Sequence, residues 1–241
     1  MSSSKSKAIM EGVGTAALIM TIQVAVSSGS KMAPLAIGLI LMVMVYSGGP
    51  ISGAHYNPAV SLAVLLRQKM DLPDMIIYWI SQFVGGYIGA ILGATINGGT
   101  YIVVTRGSDD VTSSQAFVAE IIFTFLLCFV VLNVATRTTT QNNNGYYGAA
   151  IGLTVTAGAI TVGNVSGGAF NPAVAICLSI ASRSSSSLMY AVGTSVANFI
   201  GGILAAVIFR IVAPEEFTTT TAEARSRGGA TGTTGETTSL V

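Results

Sequence analysis

Ser52-Gly53-Ala54-His55-Tyr56-Asn57-Pro58-Ala59-Val60 returns later in the chain as Ser166-Gly167-Gly168-Ala169-Phe170-Asn171-Pro172-Ala173-Val174. Six of the nine positions are identical and a seventh is aromatic in both. In each copy a Gly-containing loop runs into Asn-Pro-Ala, and a short apolar run follows. This is the chemistry of a helix start. Asn caps well because its side-chain oxygen accepts from the free N–H groups of the first turn. Pro fits the first helical position, where no N–H is needed. Two such starts in matching contexts, about half a chain apart, mark a duplicated unit.

The surroundings of the two copies set the class of protein. Of 241 residues only 9% are charged, and the mean hydropathy is +0.70. Apolar runs near the length needed to cross a bilayer recur along the chain. The reading is an all-α, polytopic membrane protein. Its 28 glycines suit close helix–helix contact in lipid. No basic cluster points to nucleic acid. Cys128 and Cys177 both lie in apolar segments and read as small buried side chains, not as a disulfide framework. With one His and no Cys/His cluster, no metal site or cofactor is expected, and no nucleophile–base set suggests an enzyme. Lys5 and Lys7 ahead of an apolar run resemble a signal peptide. That reading is rejected, because the segment has a counterpart in the second half.

Working outward from the repeats, spans are expected at about 8–26, 34–46 and 75–96, then at about 115–135, 146–162 and 188–212. Ser47-Gly48-Gly49-Pro50 reads as a loop. Residues 97–114 read as a polar loop carrying Arg106, Asp109 and Asp110. The apolar segments after Asn57 and Asn171 stop near Leu66 and Ile180. Ten or eleven helical residues rise about 16 Å, half of a hydrocarbon core. The expected organisation is a disordered N-terminus (1–7), a membrane-spanning domain (8–212, with repeats 8–96 and 115–212) and a disordered tail (213–241).

The halves correspond beyond the nine-residue motifs. Glu11-x-x-x-Thr15 matches Glu120-x-x-x-Thr124, Ile37-Gly38-Leu39 matches Ile151-Gly152-Leu153, and Gln82-Phe83-Val84-Gly85-Gly86 matches Asn198-Phe199-Ile200-Gly201-Gly202. Three spans per half is odd, so the second half enters the membrane from the opposite side: an inverted repeat. With both termini cytoplasmic, the inner segments carry Lys5, Lys7, Arg67, Lys69, Arg137, Arg210, Arg225 and Arg227. The outer loops carry Lys31, Arg106 and Arg183. Positive charge therefore favours N-in, C-in.

Inverted symmetry brings the two half-length helices in from opposite faces, so their N-termini meet near the midplane. Irregular backbone at that depth must line protein or water. Each N-terminus acts like roughly half a positive charge. Each Asn can cap with its carbonyl and still offer amide N–H donors. Such a track repels cations and hydrogen-bonds small neutral molecules.

Together with Glu11 and Glu120, SGAHYNPAV and SGGAFNPAV resemble the aquaporin (major intrinsic protein) family over about residues 8–212. The resemblance implies six spans, two re-entrant half-helices, a pore in each subunit and a homotetramer in the lipid bilayer. It makes Asn57 and Asn171, with Pro58, Ala59, Pro172 and Ala173, the central constriction. It places a second constriction at Ile37, Ala159, Gly168 and Val174. Many members carry Arg at the position of Val174, and many water-selective ones carry His at that of Ala159. Plant tonoplast-type members include examples with Val at the position of Val174 that still pass water. The filter implied here is wide and apolar. The expected function is a passive channel for water with glycerol, urea, ammonia or hydrogen peroxide as candidate solutes. Cys177 is not at the filter, so thiol reagents are not expected to block it.

Glu11 and Glu120 read as structural, accepting hydrogen bonds from orphan N–H groups of the re-entrant loops. A proton- or ion-coupling role is the alternative. His55 reads as packing and hydrogen bonding at the inner mouth, with a pH gate as the alternative. Ser239-Leu240-Val241 could serve a tail-binding partner. Two other classes compete: a secondary transporter with a broken-helix site, and a junction or scaffold protein with a closed pore. Plasma membrane and vacuolar membrane are both open.

Overall fold

The structure, a computed structural model, describes residues 3–138 and 144–217. They form eight helices: α1 (Ser4–Ser27), α2 (Ala33–Ser52), α3 (Pro58–Leu66), α4 (Leu72–Ile96), α5 (Ser113–Ala135), α6 (Tyr147–Ser166), α7 (Pro172–Ser182) and α8 (Ser185–Val212). Six of these are long and apolar enough to cross a membrane. The two short ones, α3 and α7, have nine and eleven residues.

Helix starts follow the capping chemistry. Asp71 caps α4 by accepting from the Asp74 N–H at 3.0 Å. Thr112 and Gln115 form a capping box on α5. Ser3 caps α1 and accepts from the Ser6 N–H. The first helix therefore begins at Ser4 and not near residue 8.

The second span also differs from its expected length. Residues 47–50 are helical, not a loop, and α2 runs on to Ser52. Gly48 is there for close approach: a Cβ on it would lie 1.8 Å from the Tyr56 hydroxyl. Pro50 removes one backbone donor in the last turn and lies on the exposed side. Both α2 and α6 end on a left-handed glycine, Gly53 at φ 87° and Gly167 at φ 85°, the usual helix stop that costs a larger residue more.

Within each half the first and last spans pack most extensively, α1 on α4 and α5 on α8, and α2 packs on α6 across the halves. At that crossing Gly38 and Gly152 face each other. A Cβ on either would lie within 2.5 Å of the other's carbonyl oxygen. Each half-helix also packs against a span of the opposite half, α3 on α8 and α7 on α4. Trp79 of α4 donates to the Pro58 carbonyl at 3.0 Å and its ring meets Phe199 of α8 at 5.3 Å. The halves thus interlock around the two Asn-Pro-Ala turns.

The connection from 97 to 112 is not simply a polar surface loop. Gln23 holds it at Thr100 and Ile102, and the Ser187 hydroxyl both donates to and accepts from Val104. The segment after α8 also departs from the expected free tail. Ala213, Glu216 and Phe217 are buried. Residues 218–241, including Arg225, Arg227 and Ser239-Leu240-Val241, lie outside the described residues.

Candidate functional site

Asn57 and Asn171 stand at the N-termini of α3 and α7 as caps. Each side-chain oxygen accepts from the N–H two residues on, in Ala59 and Ala173, at 2.9 Å. Each amide also reaches across: Asn57 Nδ2 donates to the Phe170 carbonyl at 2.8 Å, and Asn171 Nδ2 to the Tyr56 carbonyl at 2.9 Å. One N–H per amide is spent on this reciprocal staple. The second remains for the cavity that both residues line.

The loops that feed the caps are held in an uncommon shape. Tyr56 and Phe170 take φ of 50° and 48°, and Ala54, where the second repeat has Gly168, takes 53°. Left-handed backbone at a non-glycine residue is sparsely populated and persists only where its surroundings over-determine it. The buried carboxylates are those surroundings. Glu11 accepts from Ser52 Oγ, His55 N, Tyr56 N and Gln82 Nε2 at 2.6–3.0 Å. Glu120 repeats the pattern with Ser166 Oγ, Ala169 N, Phe170 N and Asn198 Nδ2 at 2.7–3.0 Å. All four acceptor sites of each carboxylate are engaged in structure.

A cavity of about 390 Å³ opens on the side of the 97–112 connection and reaches the two asparagines. Its walls carry Ile37, Ala159, Gly168 and Val174, brought together from α2, α6, the second repeat loop and α7. A Cβ on Gly168 would lie 3.7 Å from the Ala159 backbone. Thr105, Arg106, Asn164, His55 and the two asparagines supply side-chain polarity, and no carboxylate of the described residues lines it. A second cavity, about 180 Å³, opens on the side of the termini, with Lys7, Lys69, Asp74 and Tyr78 at its wall. His55 and Val131 line both and so stand between them. His55 Nδ1 is 3.0 Å from Ser61 Oγ, and its ring meets Tyr78 edge-on. The arrangement offers hydrogen-bonding groups from several elements within an otherwise apolar wall.

Several participants were not singled out by sequence reasoning. Ser52 and Ser166, which bond the carboxylates, are part of the repeat and could have been found there. Gln82 and Asn198 stood in the repeat alignment without a role. The wall formed by residues 102–107 had only one signal, the apolar run Ile102-Val103-Val104 inside a supposed polar loop.

The family described as major intrinsic protein matches residues 4–209, and again 139–237. The glycerol uptake facilitator protein-like 6 of Lactiplantibacillus plantarum is 33% identical over 225 residues, 87% of this chain and 99% of its own length. The probable aquaporin NIP4-2 of Arabidopsis thaliana is 34% identical over 168 residues, 69% of this chain and 59% of its own. The probable aquaporin AqpM of Archaeoglobus fulgidus is 34% identical over 147 residues, 58% of each chain. The chain thus spans nearly all of the bacterial relative and under two thirds of the other two. Among solved structures, the aquaglyceroporin from Plasmodium falciparum superposes with a TM-score of 0.75 at 21% identity, over 90% of this chain and all of that one. This is a likeness of fold.

Proposed function

The chain belongs to the major intrinsic protein family, and from that premise we propose that it is a wide-filter channel passing water together with neutral solutes of glycerol or urea size. It is an integral, multi-pass membrane protein and a passive channel, not an enzyme. The observation that carries the wider reading is the wall at Ile37, Ala159, Gly168 and Val174. Two apolar branched side chains, one methyl and one hydrogen face the cavity there, and none of the four is a cation or donor. A filter that neither narrows the tube nor polarises it selects by size. The similarity to a protein named a glycerol uptake facilitator makes glycerol the first solute to test, with urea, ammonia and hydrogen peroxide after it.

Asn57 and Asn171 act as the midplane donors in this reading. The converging N-termini of α3 and α7 place partial positive charge there, which disfavours cations, hydronium included. Glu11 and Glu120 hold the loops and do not carry protons. The termini face the cytoplasm, and the subunits form a homotetramer.

Stopped-flow measurements on reconstituted vesicles test the proposal. The expected result is rapid shrinkage in an impermeant osmolyte and rapid re-swelling in glycerol or urea, both with low activation energy. Water flux with no glycerol or urea flux would sink the wide-filter reading.

A further inference from the structure

Arg106 is the one charged side chain among the described residues that line the 390 Å³ cavity. It comes from the 97–112 connection, not from a helix. Besides Gln23, Val104 on Ser187 and the Gly107 N–H on the Val165 carbonyl at 3.2 Å hold that stretch over the mouth, and within it the Arg106 guanidinium donates to the Val111 carbonyl. The fit is close, since a Cβ on Gly107 would lie 2.0 Å from the Asn164 carbonyl oxygen. Arg106 is half-buried, and no carboxylate of the described residues forms an ion pair with it. Asp109 and Asp110 of the same connection are exposed and do not line the cavity. Neither do Lys31 or Arg183, the other charged residues of that face. Deeper in, at Val174, the wall carries no charge.

We propose that Arg106 supplies the cation barrier at this mouth, leaving the filter below it wide and neutral. The inference rests on the channel reading above and assigns a specificity-determining residue within it. A positive side chain on a low-dielectric, concave wall lowers the local concentration of cations and leaves neutral solutes unaffected. Placing it on the connection separates two tasks. Charge is rejected at the mouth, while the tube below stays broad enough for a polyol.

The test uses the full chain in vesicles and compares wild type with Arg106→Gln, Arg106→Glu and Arg106→Lys. Entry of Na⁺ and of guanidinium is normalised to water flux. Urea serves as the neutral counterpart of guanidinium in size. Arg106→Gln should raise the cation-to-water ratio about fivefold, and Arg106→Glu further, as expected for removing and then inverting a unit charge at a partly solvated mouth. The difference between Arg106→Gln and wild type should shrink as ionic strength rises from about 0.01 M to about 1 M, where the Debye length falls to about 3 Å. Arg106→Lys should behave as wild type. An unchanged ratio in Arg106→Gln overturns the proposal. So does an equal rise in Arg106→Lys, which would trace the leak to a disturbed connection and not to charge. Wild-type vesicles that pass neither water nor glycerol would overturn the channel reading itself.

Discussion

In the proposed channel, Val174 is the single residue expected to weigh most on selectivity. It is 4% exposed, sits in the first turn of α7 and lines the cavity wall. Its backbone is fixed by the Asn171 cap just before it, so a longer side chain there has no route but into the tube. Val174→Arg is expected to cut glycerol permeability by about tenfold and water permeability by less than about threefold, because a guanidinium both narrows the passage and competes for its hydrogen-bonding groups. Stopped-flow rates for the two solutes on the same vesicles check this. The residue itself was legible from its spacing to Asn171. Its neighbour Gly168 shows the limit of such reading. The left-handed backbone at φ 65° that brings Gly168 to the wall also occurs at Ala54 of the first repeat, so residue type alone did not reveal it.

At the scale of elements, the contact that holds the two halves closest is the crossing of α2 and α6. The backbones come so close at Gly38 and Gly152 that a Cβ on Gly38 would lie 1.8 Å from Thr156 Oγ1. No rotamer change can absorb a clash with the opposing carbonyl as well. Gly38→Val should lower the apparent melting temperature in detergent micelles, at a cost of about 3 kcal/mol for forced overpacking. Gly193→Ala, where an added Cβ meets nothing within 4 Å, should leave it unchanged or raise it, since Ala is the better helix former by up to about 1 kcal/mol. Equal behaviour of the two variants would contradict the packing account. Gly38 and Gly152 were visible as a repeat match. That they face each other was not, because inverted symmetry gives the partners of a repeat without giving the axis they share. The same limit explains Ser47–Pro50. Gly-Gly-Pro is a turn signal locally, but the glycines serve the approach of Tyr56 and Tyr147, and the helix continues through them.

Across the whole molecule, the side of the termini is tied together by a buried ion pair that joins the halves. Arg67, which caps the C-terminus of α3, meets Glu216 at 2.6 Å, with both side chains at most 3% exposed. The guanidinium lies over the rings of Phe209 and Phe217, which meet edge-on, at 5.1 and 4.9 Å. Glu216 also accepts from the Thr138 N–H and hydroxyl, in the connection after α5. Burial alone would push the Glu216 carboxyl up, but the Thr138 hydrogen bonds and Arg67 together outweigh it and hold it below the usual carboxylate range. A depressed folded-state value means that the contribution is present at pH above about 4.5 and is lost as the pH falls through the lower, folded value. Glu216→Gln strands Arg67 and should cost about 3 kcal/mol near neutral pH. It should also flatten the acid limb of a melting-temperature profile. Exchanging both partners for Met should recover much of the loss, since a well-packed apolar pair can replace a buried ion pair. A double variant as unstable as Glu216→Gln would argue that the contact matters for more than its charge.

Local chemistry and periodicity were sufficient for six spans, two half-helices, their caps and the inverted order of the halves. These follow from hydropathy, from Asn-Pro capping and from an odd number of spans per repeat, all of which are properties of neighbouring residues. Three things came only with the tertiary structure. Each cap amide is stapled to the opposite loop, the 97–112 connection is folded over the mouth with Arg106 in its wall, and the segment after α8 is locked onto Arg67. Each joins residues more than 50 positions apart by a side-chain or loop contact with no period and no motif. Only the packed chain brings such partners together.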